Sequence, residues 1–445
     1  MNHSESSQRI CIANMWYGAN YGAVLTAFAL CQVLHQLGHT TALLPPALKH
    51  GDRHINSPFR QFLTKRGIKT LFAPKNEEEA EILNNSFDTF IVGSDQVWRY
   101  EYTYDLPGYH FFLDFVKPGK RKIAVAASIG SEQCEAPDSW RIRASHYLRA
   151  FDAISLRETE SLHAFAEQYR IQAESILDPV FLCSKETWND YTSSHPNQNK
   201  PYIFSYILDD NPVNNEIVRK MAEKENAAIC HIRDGYQSDT LNTASVEQWL
   251  DHIRHCKYLV TDSFHGVCFA LIFNKPFICI ANHQRGYIRF SSLLGLVNLT
   301  DRMVDTNYSD KIPGNLPEID WSRINAVLDA YKERSIQWIK DALKKDKTPN
   351  QLAYEQLLQH IYLLESNIRQ MTTLQEPGDF KQIMLHALAL PYLQKKYRKL
   401  KFKYTFSFGK KRKKIKAEFK QIKNMLRVAT NSMSQIQKYL TSLVP

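Results

Sequence analysis

Apolar and polar positions fall in blocks along the first three hundred residues, and the blocks have strand and helix lengths in turn. Arg9 to Ala13 is a short apolar run and Asn14 to Gly22 a loop with two glycines. Ala23 to Leu37 is apolar on every side, which predicts a fully buried helix ended by Gly38. Thr41 to Leu44 begins a second strand, so the chain opens as a β-loop-α-β unit. Phe87–Val92, Lys122–Ser128 and Ala153–Leu156 read as further strands, with a helical pattern over Trp140–Phe151. His50 to Glu81 shows no sustained period and reads as a lid or surface insertion.

After the polar segment Ser194–Lys200 the rhythm starts again. Tyr202–Leu208, Ala227–Ile232, Tyr258–Val260 and Phe277–Ile280 have strand character. Val213–Glu225, Val246–His255 and Val267–Phe273 have helix character, the last stopped by Asn274-Lys275-Pro276. Strands alternating with helices predict parallel sheets and an α/β fold. The expected organisation is two doubly wound, Rossmann-like domains, residues 1–185 and 200–345, followed by a helical, basic extension, 346–445. Trp321–Leu343 and Gln351–Thr373 are amphipathic helices, the first of which packs back on the domains.

Composition changes little in this picture. A chain of 445 residues with 44% apolar and 12% aromatic content is globular, with room for two cores and some residues left over. The first residues carry no leader pattern, and no run reaches the roughly 18 apolar residues that a spanning helix needs, so a cytoplasmic protein is expected. Eight cysteines without a C-x-x-C pair read as reduced core thiols.

Charge changes the picture more. Lys395 to Arg427 holds 15 Lys/Arg against Glu418 alone, a local +14 in a chain of net +10, which leaves the rest at about −4. The catalytic part is therefore not a nucleic-acid binder. Interleaved with Tyr397, Phe402, Tyr404, Phe406, Phe408 and Phe419, the tail has the pattern of a segment lying on an anionic bilayer, the alternative being a solvated charged helix.

Candidate chemistry gathers at strand ends. Thr261 to Gly266 is a polar island between two apolar runs, at a strand's carboxyl end and before a helix N-terminus that favours an anion. His265 is the ionisable group suited to acid–base work near neutrality, with Asp262 close enough in sequence to orient it; the plain alternative is a histidine that ties loops together. Ser263 and Gly266 complete the island. Arg157 stands at another strand end, where its fork suits a carboxylate or phosphate, or pairs with Glu158 or Glu160. Arg285 and Arg289 follow a third strand as anion-binding candidates. Asn20 either caps the first helix or, with Tyr21 and Gly22, touches an acceptor. Ser94, Asp95, Gln96 and Trp98 form a loop suited to sugar hydroxyls, Asp95 as an orienting or deprotonating carboxylate; an Asx-turn with Trp98 in the core is the alternative. The aromatic run Tyr100 to Tyr104, with Tyr109 and His110, offers stacking faces or ordinary packing. His231, His252, His255 and Cys256 lack ligand spacing, so no metal is expected.

Four ordered stretches add a resemblance: Asn20-Tyr-Gly-Ala-Val-Leu25, Phe90-Ile-Val-Gly-Ser-Asp-Gln-Val-Trp98, Ile176-Leu-Asp-Pro-Val-Phe181 and Thr261-Asp-Ser-Phe-His-Gly266 with its Asn274-Lys-Pro276. Together they resemble the polysaccharide pyruvyl transferase family. The resemblance implies a GT-B-like pair of domains and transfer of pyruvate from phosphoenolpyruvate, as a ketal, onto a saccharide of a cell-surface or lipid-linked glycan precursor met at the inner membrane face. It implies phosphoenolpyruvate as co-substrate and no further cofactor. The arginine of an R-[DE]-x-x-S segment, matched by Arg157-Glu-Thr-Glu-Ser161, would help hold the donor. Better-understood branches carry Arg-Leu-His-Gly where this chain has Ser263-Phe264-His265-Gly266, so Arg157, Arg285 or Arg289 must supply the missing charge or the donor differs. A nucleotide-sugar glycosyltransferase on the same fold and a non-catalytic membrane-bound scaffold of glycan assembly are the rival readings.

Overall fold

The structure is a computed structural model. It describes residues 7–16, 20–46, 58–74, 76–106, 108–131, 135–192, 201–232, 244–281, 286–305, 316–349 and 351–358, and single positions at 394, 416, 420, 423, 424, 427 and 430. Arg285, most of the tail over 395–427 and residues 50–57 lie outside the described residues. The chain divides into two compact units, one of residues 1–116 with 120–347, the other of 117–119 with 348–445. Both sheets belong to the first.

The first sheet has seven parallel strands: β1 (Arg9–Ala13), β2 (Thr40–Leu44), β3 (Lys69–Thr70), β4 (Thr89–Asp95), β5 (Arg121–Ala127), β6 (Ala153–Leu156) and β7 (Glu174–Ser175). Their order is β3-β2-β1-β4-β5-β6-β7. The second has five: β8 (Tyr202–Tyr206), β9 (Ala228–His231), β10 (Tyr258–Thr261), β11 (Phe277–Ala281) and β12 (Met303–Asp305), ordered β12-β11-β10-β8-β9. Each order reverses once, between β1 and β4 and between β8 and β10. Such switch points are where open α/β sheets leave a crevice for ligands. This is the expected α/β class with two doubly wound halves.

The first helix, Tyr21–Gln36, is apolar all round because it is covered all round; its described contacts run to β2 and β4 on one side and to helix Phe264–Ile272 on the other. One apolar cluster therefore extends from Ile10 to Leu343, and the two halves share a core. Tyr21 fastens them: its ring stacks on Trp249 at 5.3 Å, and its hydroxyl donates to the carbonyl of Ala244 at 2.7 Å. The long helix Trp321–Lys344, which starts in line with the second half, returns to the first, where Ser335 Oγ accepts the N–H of Leu177 at 3.0 Å.

Residues 58–86 correct the reading of that region as a lid or insertion. Helix Pro58–Lys65 buries Phe59, Phe62 and Leu63, with Phe59 edge-on to Tyr21 and Phe62 to Phe28, and β3 extends the sheet. The segment is part of the core because those three apolar side chains share one helical face. Among the described residues no helix is long and apolar enough to cross a membrane.

Candidate active site

Four strand ends meet where the halves face one another. β4 ends in Ser94 and Asp95. β6 runs into Arg157 and Glu158. Beyond β7, Asp178 opens the tight turn Pro179–Phe181, its Oδ1 accepting the N–H of Val180 at 3.2 Å. From the other half, β10 ends at Thr261, and Ser263 caps helix Phe264–Ile272, its Oγ accepting the N–H of Gly266 at 3.3 Å.

Asp178 is the hub. Its Oδ1 also accepts from Thr26 Oγ1 at 2.9 Å, and its Oδ2 accepts from Ser94 Oγ at 2.7 Å and Arg157 Nη1 at 2.9 Å. Three segments thus fix one carboxylate that is 2% exposed. Burial alone would raise its pKa, but His265, Arg157 and the Ser94 hydroxyl outweigh burial and hold it well below the usual carboxylate range. It is a fixed, buried negative charge.

His265 faces that charge. Its Nε2 stands 3.5 Å from Asp178 Oδ2, an ion-pair distance without hydrogen-bond alignment. Among the described residues Nε2 is buried and has no hydrogen-bond partner. The other side of the ring lies on the first helix, at Gly22. A Cβ there would sit 2.0 Å from Nδ1 and 2.3 Å from Cγ, so only glycine admits the imidazole. The histidine is gripped between a backbone and a carboxylate, one supplied by the first helix and the other by the turn after β7.

Two guanidinium groups flank Phe264. The Cζ of Arg157 lies 4.5 Å and that of Arg289 5.5 Å from the ring centroid. Arg157 donates from Nε to Glu158 at 3.0 Å, from Nη1 to Asp178 and from Nη2 to Asp95 at 3.1 Å. Although burial opposes it, these carboxylates raise its pKa and fix its charge. Arg289 comes from helix Tyr287–Leu296 and donates from Nε to the carbonyl of Gly286 at 3.3 Å. Burial, and then Arg157, bring its pKa down to about 10, so it is a charged but poorly solvated cation at neutrality. Asp95 lies in the left-handed region at φ 86° and is lowered in pKa, the pull of Arg157, His265 and Arg289 exceeding the effect of burial.

A family model for polysaccharide pyruvyl transferases matches residues 20–284, well over half of the chain. The chain belongs to the polysaccharide pyruvyl transferase family. It is a transferase. No curated protein matches the sequence. Solved structures similar to it include the MnaA–UDP co-structure of S. aureus, at 12% identity over 81% of this chain and 97% of that one with a TM-score of 0.44. A putative UDP-N-acetylglucosamine 2-epimerase from Listeria monocytogenes matches at 11% over 77% and 99%, TM-score 0.42. Anabaena Alr3699/HepE in complex with UDP and glucose matches at 10% over 76% and 100%, TM-score 0.45.

In this pyruvyl transferase family member several sequence candidates lie elsewhere than expected. Asp262 does not orient His265: its Oδ1 and Oδ2 accept the N–H groups of Leu208 and Asp209 at 2.7 and 2.9 Å, which ties the loop after β8. Asp178, 87 positions earlier in the chain, takes that place. Ser263 is a helix cap, and Gly266 lets the helix close on Thr261, whose Oγ1 a Cβ would approach to 2.7 Å. Arg157 was expected to hold the donor or pair with Glu158 or Glu160; it pairs with Glu158 and with two aspartates besides. Asn20 caps the first helix, its side chain accepting from Ala23 N–H at 3.1 Å. Tyr21, Ser94 and Trp98 are buried; Trp98 donates from Nε1 to the carbonyl of Phe111 at 2.8 Å and stacks on Phe112 and Phe165, which places it in the core. Gln96 is buried and accepts from Arg99 Nη1 at 3.3 Å. Asp95 Oδ1 accepts the N–H of Gln96, the next residue, at 2.9 Å while also meeting Arg157; an Asx-turn would take the N–H of Val97, which instead donates to the Asp95 carbonyl at 2.8 Å. Among the described residues no three His, Cys, Asp or Glu side chains converge to hold a metal.

Proposed function

We propose that the protein transfers pyruvate from phosphoenolpyruvate, as a ketal, onto two hydroxyls of a saccharide in a cell-surface glycan precursor. The observation that carries this reading is His265 Nε2, buried, without a hydrogen-bond partner among the described residues, and 3.5 Å from an ionised Asp178. Buried polar atoms are almost always paired, so an imidazole N–H that meets only an ion-pair partner at 3.5 Å can still engage a ligand atom. An enol phosphate is a fitting one, because ketal formation starts with a proton delivered to its methylene carbon.

The steps balance as follows. His265 gives its proton to the methylene, the double-bond electrons form the new C–H bond, and the adjacent carbon becomes an oxocarbenium centre. A saccharide hydroxyl attacks that carbon and loses its proton to Asp95. The carbon–oxygen bond to phosphate then breaks, a second hydroxyl attacks, and its proton returns through His265, while the first leaves with phosphate. Asp178 keeps the imidazole in place. Arg289, and Arg157 once released from a carboxylate, hold the donor's anionic groups across Phe264 and stand in for the arginine of the Arg-Leu-His-Gly island. Purified protein should release phosphate from phosphoenolpyruvate in the presence of host glycan fractions. Release of nucleotide from a sugar nucleotide instead would establish the glycosyltransferase reading.

We also propose that the tail holds the enzyme at the inner face of an anionic membrane. Lys416, Lys420, Lys423 and Arg427 are helical and exposed, and spacings of four, three and four place them on one face. Each basic residue near such a surface contributes about 1 kcal/mol. Co-sedimentation with phosphatidylserine vesicles should be strong at low salt, weak at high salt and lost on truncation after Pro391; equal binding by the truncated chain would contradict the proposal.

A further inference from the structure

Three carboxylates crowd one guanidinium at Arg157. Asp95, Glu158 and Asp178 all touch one guanidinium within 3.1 Å. A donor bearing a phosphate and a carboxylate brings further negative charge against these carboxylates, and like charges this close in a buried site repel strongly. Neutralising one carboxylate as the donor enters would relieve that repulsion.

The three differ. Asp178 is held by Thr26, Ser94, Arg157 and the Val180 N–H, and Asp95 has Arg157, His265 and Arg289 around it. Glu158 is 1% exposed and its Oε1 accepts from Arg157 Nε at 3.0 Å; among the described residues its Oε2 has no well-aligned hydrogen bond. The groups facing it from packed elements are the Ser128 hydroxyl after β5 and Arg289 from the helix after β11. Burial outweighs these and raises its pKa, whereas both aspartates are lowered.

We propose that Glu158 is a proton-linked counter-ion for the empty site: ionised beside Arg157 without donor, it takes one proton from solvent when phosphoenolpyruvate binds, and so frees the Nε edge of Arg157 for the donor. This rests on the donor reading above. Glu158 acts through Arg157 and is a positioning residue; its protonation leaves Asp178 and His265 as they are.

Calorimetric titration of the full-length protein with phosphoenolpyruvate at neutral pH, in buffers of different ionisation enthalpy, counts the protons taken up. The unchanged protein should take up about one proton more per site than Glu158→Gln, which carries the neutral form permanently. Equal uptake by the two would overturn the inference while leaving the donor reading intact. No binding of phosphoenolpyruvate by the unchanged protein would overturn both. The infrared difference spectrum of the unchanged protein with and without phosphoenolpyruvate needs no variant. A new protonated-carboxyl carbonyl band is expected on binding, and its absence alongside demonstrated binding would overturn the inference.

Discussion

Replacing His265 by glutamine should leave the fold and donor binding nearly unchanged and lower kcat by roughly 10²–10⁴-fold, the usual contribution of a positioned acid. Glutamine fills much of the same space against Gly22 and Asp178 but has no proton to give. A histidine that merely ties loops together would behave differently, since its loss would show in stability and spare turnover. Steady-state kinetics beside thermal unfolding separate the two, and activity within a few-fold of the unchanged protein would remove His265 from the mechanism. Asp178→Asn provides a companion measurement. It weakens a charge-assisted network and should cost about 1–3 kcal/mol of stability. Because the Asp178 carboxyl is held below its ordinary range, its stabilisation is fully present above the unfolded carboxylate pKa and is lost as pH falls through the depressed one. The variant's stability should therefore fall less steeply in acid.

Gly22→Ala should be nearly as damaging as loss of the histidine itself. The added Cβ would fall 2.0 Å from His265 Nδ1 and 2.7 Å from its Cβ, and the helix that carries Gly22 is buried on every side and cannot withdraw. The ring must leave its place facing Asp178, so turnover should drop by about 10²-fold or more. Crowding a packed interior should cost a further ~1–3 kcal/mol of stability. A double-mutant cycle isolates the cause: in a His265→Ala background, which opens the space, Gly22→Ala should be close to neutral. Additive destabilisation would show that Gly22 serves the helix and not the imidazole.

Much of this arrangement is legible in the sequence. The β-α-β rhythm, the apolar first helix and the strand-end position of the island follow from period and punctuation, which are local properties of the chain. His265 and Arg157 were legible because their chemistry is rare at such positions. Asp178 was not: Leu177-Asp178-Pro179 reads locally as a turn, and its role arises only when topology brings Thr26, 152 positions away, and Ser94, 84 positions away, to the same carboxylate. The recurrence of Ile176–Phe181 among the four family stretches was the available signal. Tyr21 and Trp98 were acceptor candidates, Trp98 with a place in the core as its alternative; Trp249 and Phe165 claim their ring faces, so the core reading of Trp98 holds. Phe59, Phe62 and Leu63 did carry helical spacing, in a segment whose charge masked it.

The island's departure from Arg-Leu-His-Gly also gains a physical account. Ser263 gives up a charge and caps the helix, while Phe264 places its ring between Arg157 and Arg289, one guanidinium from each half. That arrangement depends on the halves staying together, which the shared core ensures.

The most direct test of the central claim is to run the reaction in deuterium oxide with phosphoenolpyruvate and host glycan fractions, and to read the product by mass spectrometry and proton NMR. If His265 delivers a solvent-derived proton to the methylene carbon, the pyruvyl ketal's methyl group should carry one deuterium, with inorganic phosphate released in equal amount. A glycan that gains no ketal, or a ketal methyl that retains only protium, would contradict the account.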